Sequence, residues 1–157
     1  IEEYGYIINE SELSKYEALE NLRSVFVPKT KTLLLADGIN EAQRTFIYAK
    51  EIAYNFLEIT DRLYSFPWIK FKRFDQVLNN FYASYFAGAL IIPKDDLTLK
   101  LETIFKKDTF DEALFIITQK WYNALPESFY QRFANILSKA FNIQSLFFLR
   151  FTHKFEC

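Results

Sequence analysis

The one imidazole and the one thiol of this chain, His153 and Cys157, stand four residues apart near its C-terminal end. A cysteine beside a histidine is a nucleophile pair when the thiolate is held in a fixed electropositive setting. No surrounding residue pattern supplies that setting here, so Cys157 reads as a plain surface thiol. One His and one Cys also fall short of the four N or S ligands that a structural zinc takes. A glycine-rich phosphate loop and a Gly-x-Ser-x-Gly nucleophile elbow are both missing from the sequence. The densest basic cluster, Lys70, Lys72 and Arg73, is short and lies beside Trp68 and Phe71. It reads as a solvated loop, because a duplex-binding surface gathers Lys and Arg over a whole face. These residues point to binding, not to catalysis.

The elements that would position a site must come from a chain of 157 residues that is 50% hydrophobic and 19% aromatic, with 18 Phe. Such a composition buries a core and excludes a disordered tail. The length suggests one domain, 1–157, around one core, and only three Gly and four Pro leave little for flexible linkers. The formal charge is −1 with acids and bases interspersed, which disfavours a polyelectrolyte partner. A single Cys, no signal peptide and no apolar run of about 18 residues lead us to expect a cytoplasmic protein with no membrane partner. The chain has no Met and opens at Ile1-Glu2-Glu3-Tyr4, as a piece of a longer protein would.

Two short runs rich in Val, Leu and Thr, 22–27 and 32–36, flank Pro28 and predict a hairpin or two adjacent strands. After Asp37-Gly38, Asn40 stands as a helix cap ahead of Glu41 and Gln43. The helix that follows, 41–58, carries Phe46, Ile47, Ala49, Ile52, Ala53, Phe56 and Leu57 round most of its circumference, as a central buried helix does. A second helix is expected over 75–92, stopped by Pro93, with Ala83, Ala87 and Gly88 narrowing one strip so that the first helix can approach. Further helices are expected from near Asp108 to Asn123 and from Pro126 to Ala140, then a strand over 146–151.

QRTFIYAKEIAYNFL at 43–57 resembles the active-site helix of the IrrE/ImmA metallopeptidase-like family, and ASYFAGALIIP at 83–93 is similar to that family's helix ending in an apolar pair and proline. QRFANILSKAFNIQSLFFLRF at 131–151 looks like the end of the corresponding domain in bacterial XRE-type regulators, where a helix-turn-helix precedes an IrrE-like domain, as in the short-chain fatty acyl regulators. The resemblance implies an α+β, predominantly helical fold: a degenerate zincin-like domain with a small β-sheet packed on two central helices. It also implies a DNA-binding helix-turn-helix domain upstream, outside this chain.

The family's zinc motif is His-Glu-x-x-His, in which residues i and i+4 share a helix face and aim two imidazoles at one metal. The matching places here read Lys50, Glu51, Ile52, Ala53 and Tyr54. Lysine brings a positive charge where a cation should sit, and a tyrosine is a poor zinc ligand. The family's acidic third ligand would come from the region where this chain has Asn79, Asn80, Phe81 and Tyr82. The expectation is therefore a pseudo-peptidase with no metal or other cofactor, in which Glu51 pairs with Lys50 or another cation, or with the phenols of Tyr54 or Tyr82.

Lys50, Glu51, Tyr54, Asn79 and Tyr82 then line the old cleft, with Tyr48 and Tyr85 nearby. Two readings stand side by side. In one, the cleft is a ligand pocket of a sensory domain, its lysine favouring an anionic head group, and by resemblance the ligand is an acyl-CoA or other small acyl metabolite. In the other, aromatic side chains fill the cleft and the chain is a structural module that forms a homodimer or docks a partner through Trp68, Phe71 or Phe147.

Overall fold

Thr32–Leu35 is the centre of the only sheet among the described residues, and the reason is in its pattern. Three successive leucines give a short strand apolar on both faces, as a strand covered from both sides must be. The computed structural model describes residues 1–62, 73–109, 111–146 and 149. Strand β1 (Ile7–Asn9) pairs in parallel with β3 (Thr32–Leu35), and β2 (Ser24–Val27) pairs antiparallel with β3, giving the order β1-β3-β2. On one face Leu33 and Leu35, both fully buried, pack with Tyr6, Phe26, Ile47 and Tyr48. On the other, Leu34 packs with Leu13 and Leu22 from the short turns that join β1 to β2. The expected pair of strands is present, and β1 is an addition that the two apolar runs gave no means of foreseeing.

Helix α1 (Glu41–Phe56) starts in a reciprocal capping box: the Asn40 side chain accepts from the Gln43 backbone N–H and the Gln43 side chain accepts from that of Asn40. Its C-terminal end is a Schellman closure, with Ile59 N–H donating to Tyr54 O at 2.8 Å and Glu58 N–H to Asn55 O at 3.1 Å. Glu58 holds the left-handed conformation this closure requires, φ 54°. Phe56 and Leu57, expected in the buried circumference, are 65% and 40% exposed; they stand at the open end of the contact with α2, where the Phe56 ring lies 5.2 Å from that of Phe86. Helix α2 (Phe74–Ile91) lies against α1 through Ala83, which is fully buried with Ala53 and Tyr54. Gly88 is buried too, but a Cβ there would meet nothing within 4 Å, so close approach does not require it.

Pro93 ends α2 and immediately precedes a helix that the sequence reading passed over, α3 (Lys94–Phe105). Asp95 and Asp96 sit in its first turn, and Leu97, Leu101 and Ile104 form its buried stripe. The next helix, α4 (Glu112–Trp121), begins after Asp108, because it is Asp111 whose side chain accepts from Leu114 N–H. Helix α5 (Pro126–Ala140) has the expected bounds, with Pro126 in its first turn. Phe129 is fully buried and meets Phe115 and Phe133, and Tyr122 donates to Asp96 Oδ2 at 2.7 Å. Most of the strand expected over 146–151 lies outside the described residues.

The fold is α+β and predominantly helical, five helices and a small sheet among the described residues. Its contacts gather into two compact units, Ile1–Ile91 and Ile92–Cys157. The sheet, α1 and α2 belong to the first, and α3, α4 and α5 to the second. Among the described residues no helix is long and apolar enough to cross a membrane.

Candidate functional site

The register of α1 decides which of its side chains meet the sheet and which meet α2. Ile47 and Tyr48 reach the sheet, while Ala53 and Tyr54, a turn and a half further on, reach Ala83 of α2. Lys50 and Glu51 fall between, under the chain that leaves α1, and Glu51 is 7% exposed. A carboxylate so placed must be paired.

The partners of Glu51 are Arg62 and Tyr6. Its Oε2 accepts from the Arg62 guanidinium and, at 2.9 Å, from the Tyr6 hydroxyl. That hydroxyl in turn accepts from Asn55 Nδ2 at 2.6 Å and from the second guanidinium nitrogen of Arg62 at 3.1 Å. The guanidinium carbon lies 4.0 Å from the Phe26 ring centre and 4.9 Å from that of Tyr54, so aromatic faces cover the cation where water would otherwise lie. Lys50 is engaged elsewhere: its Nζ donates to Asn80 Oδ1 of α2 at 2.6 Å. Of the partners foreseen for Glu51, the role of nearby cation falls to Arg62, and the phenol is that of Tyr6 instead of Tyr54 or Tyr82.

Burial dominates the electrostatics. It pushes the Glu51 carboxyl above the usual carboxylate range, with Arg62, Tyr6 and Lys50 pulling the other way. It holds Lys50 below the usual lysine value, which the charge of Glu51 partly offsets. The Tyr54 phenol is pushed up to about 12, by burial first and then by the neighbouring carboxylate. Its hydroxyl is buried and has no hydrogen-bond partner among the described residues.

This set does not suit a zinc ion. The two places that would supply imidazoles hold an ammonium bonded to Asn80 and a phenol whose proton is held tightly, and the intervening carboxylate is bonded to a guanidinium. Among the described residues no group of three His, Cys, Asp or Glu is placed to hold a metal. His153 and Cys157, the basic pair Lys70 and Lys72, and the aromatic residues Trp68, Phe71 and Phe147 lie outside the described residues.

Asn79 and Tyr82 do not join Lys50, Glu51 and Tyr54. They turn to a separate groove of about 510 Å³ between the end of α1 and α2, lined by Leu57, Ile59, Asn79, Tyr82, Tyr85, Phe86 and Ala89. Asn79 Nδ2 donates to Asp61 O at 3.3 Å, and Gln76 Nε2 to Asp61 Oδ1 at 3.3 Å, which ties the chain leaving α1 to α2. Sequence reasoning missed Tyr6, Asn55 and Arg62; Asn55 lies within 43–57 but outside the His-Glu-x-x-His places, and Tyr6 and Arg62 belong to no motif. The one signal available was indirect: a carboxylate in an apolar helix face demands a cation from somewhere.

No protein-family model matches the chain, and no curated protein does. Among solved structures, a Mycobacterium tuberculosis transcriptional regulator shares the fold, with a TM-score of 0.58 at 17% identity over 83% of this chain. The chain spans 37% of the length of that structure.

Proposed function

We propose that this chain is a ligand-sensing, regulatory part of a bacterial XRE-type transcription regulator, built on a peptidase-like fold that has lost catalysis. The observation that carries the reading is the fold shared with part of a transcriptional regulator over 83% of the chain. The IrrE-like resemblance of 43–57 and 83–93 adds the peptidase ancestry. Lys50 bonded to Asn80, and Glu51 bonded to Arg62 and Tyr6, support a pseudo-peptidase, because the places of the two imidazoles hold groups that do not ligate zinc and the carboxylate between them is engaged in a buried ion pair. DNA contact would be made by a helix-turn-helix domain elsewhere in the protein, in the cytoplasm. The metabolite carried over from the resemblance is an acyl-CoA or a related acyl compound.

The test is the thermal unfolding midpoint with short and medium acyl-CoAs, free CoA, fatty acids and zinc, at constant protein concentration. A ligand at a hundred times its dissociation constant adds about 2.7 kcal/mol, a rise of a few degrees for a domain of this size. We expect a rise with an acyl compound and none with zinc; a rise with zinc alone would sink the pseudo-peptidase reading.

A second reading, a dimerisation or docking module without a metabolite, is favoured by the exposed rings along α2, where Phe74 is 75% and Phe81 58% exposed. It predicts no rise with any compound and a dimer mass in solution.

A further inference from the structure

The groove at the end of α1 has the anatomy of a small-molecule site: a concavity of a few hundred Å³, apolar and aromatic walls, and a few placed polar groups. Its floor is rigid. Phe86 and Ile59 pack at the same time on the Ala53, Tyr54 and Ala83 cluster that joins α1 to α2. Its rim is set by the Schellman closure, which brings Leu57 and Ile59 round from the end of α1. Leu57, Tyr82 and Tyr85 are 40%, 49% and 40% exposed around this concavity, so apolar surface faces an open volume there. The amide of Asn79 is oriented. Its Nδ2 is engaged by the Asp61 carbonyl at 3.3 Å, and its side-chain oxygen is the acceptor that this residue, one of those lining the groove, has to offer.

We infer that this groove binds an uncharged small molecule with an apolar aliphatic or aromatic body and one N–H or O–H donor, with Asn79 accepting its hydrogen bond. The inference rests on the ligand-sensing reading and moves the ligand away from Lys50 and Tyr54, which are engaged in the buried cluster and do not line the groove. The described walls offer dispersion contacts and ring faces to a neutral body. A carboxylate placed there would lose water and meet an acceptor oxygen.

The experiment is a fluorescence titration with N-phenyl-1-naphthylamine, a neutral aromatic amine with one donor, followed by displacement with octan-1-ol or sodium octanoate. Expected are saturable one-to-one binding, weakened about tenfold or more in Ala89→Trp, which fills the groove, and about fivefold in Asn79→Leu, which removes the acceptor. Lys50→Ala should bind as the parent does, and octan-1-ol should displace the dye at about a tenth of the octanoate concentration. Ala89→Leu replaces the tryptophan variant should that one fail to fold. Absence of binding, binding unchanged in both Ala89 variants, displacement by octanoate as good as by the alcohol, or loss of the dye as the chain dimerises would each overturn the inference. The two readings fail separately: an acyl-CoA rise in the unfolding midpoint without dye binding leaves sensing intact and removes the groove. Dye binding with no rise from any metabolite leaves the groove and removes the sensing of acyl compounds.

Discussion

Two regions on the same pair of helices have opposite characters. Around Glu51 every charge is answered: the carboxylate by Arg62 and Tyr6, the ammonium of Lys50 by Asn80, the guanidinium by two ring faces as well. One turn beyond, at Leu57, Ile59, Asn79, Tyr82, Phe86 and Ala89, the same helices leave an apolar volume with no charged side chain among its described walls. The first region is a lock that joins Tyr6, α1, the chain leaving α1 and α2. The second is where something can bind. Large polar side chains on one helix face therefore need not leave an open cleft: they can recruit partners from distant sequence and close it.

The comparison breaks most sharply at Arg62. Removing its guanidinium strands a buried carboxylate, so Arg62→Ala should lose about 3–5 kcal/mol in urea denaturation. The double variant Arg62→Met with Glu51→Leu should recover most of that, since a buried pair replaced by apolar groups is often neutral. Recovery by Glu51→Leu in the Arg62→Ala background, but not by a substitution in the groove such as Tyr82→Ala, would sharpen the division between lock and groove.

A smaller effect follows from pH. Burial raises the Glu51 carboxyl above its unfolded value, so as pH falls from 7 the folded chain takes up this proton before the unfolded chain does. Its contribution therefore stabilises the fold increasingly from the raised value down to the ordinary one, and is constant below. The difference in unfolding midpoint between the parent and Glu51→Gln should move in favour of the parent as pH falls from 7 towards the ordinary carboxylate range. A difference independent of pH would mean that Arg62, Tyr6 and Lys50 together balance burial, and one that moves against the parent would mean that they outweigh it.

The smallest effect is expected at the rim of the groove. Glu58 holds φ 54° in the closing turn of α1 and is exposed, so glycine there relieves a strained backbone. Glu58→Gly should add about 0.5–1 kcal/mol, net of the greater freedom of the unfolded chain, without changing dye affinity. A loss of affinity would show that the closure positions Leu57 and Ile59 only when it is stiff.

Local signals in the sequence determined local structure. Asn40 with Gln43 announced the start of α1, Pro126 that of α5, and the Val, Leu and Thr-rich runs 22–27 and 32–36 the two strands, because caps, proline and short apolar runs bounded by turn residues act within a few residues. Pro93 carries two messages, the end of α2 and the start of α3, and the i, i+4, i+7 stripe of Leu97, Leu101 and Ile104 is the local signal of the second. Lys50, Glu51 and Tyr54 are neighbours by their spacing on one helix, but their hydrogen-bond partners are not each other. What the tertiary structure alone decided was who answers Glu51 and where Asn79 and Tyr82 turn. Tyr6 lies 45 residues from Glu51, and no periodicity carries a partner choice over that distance. The burial of the carboxylate creates the demand, and packing of the sheet, α1 and the chain leaving it selects Arg62 and Tyr6 to meet it.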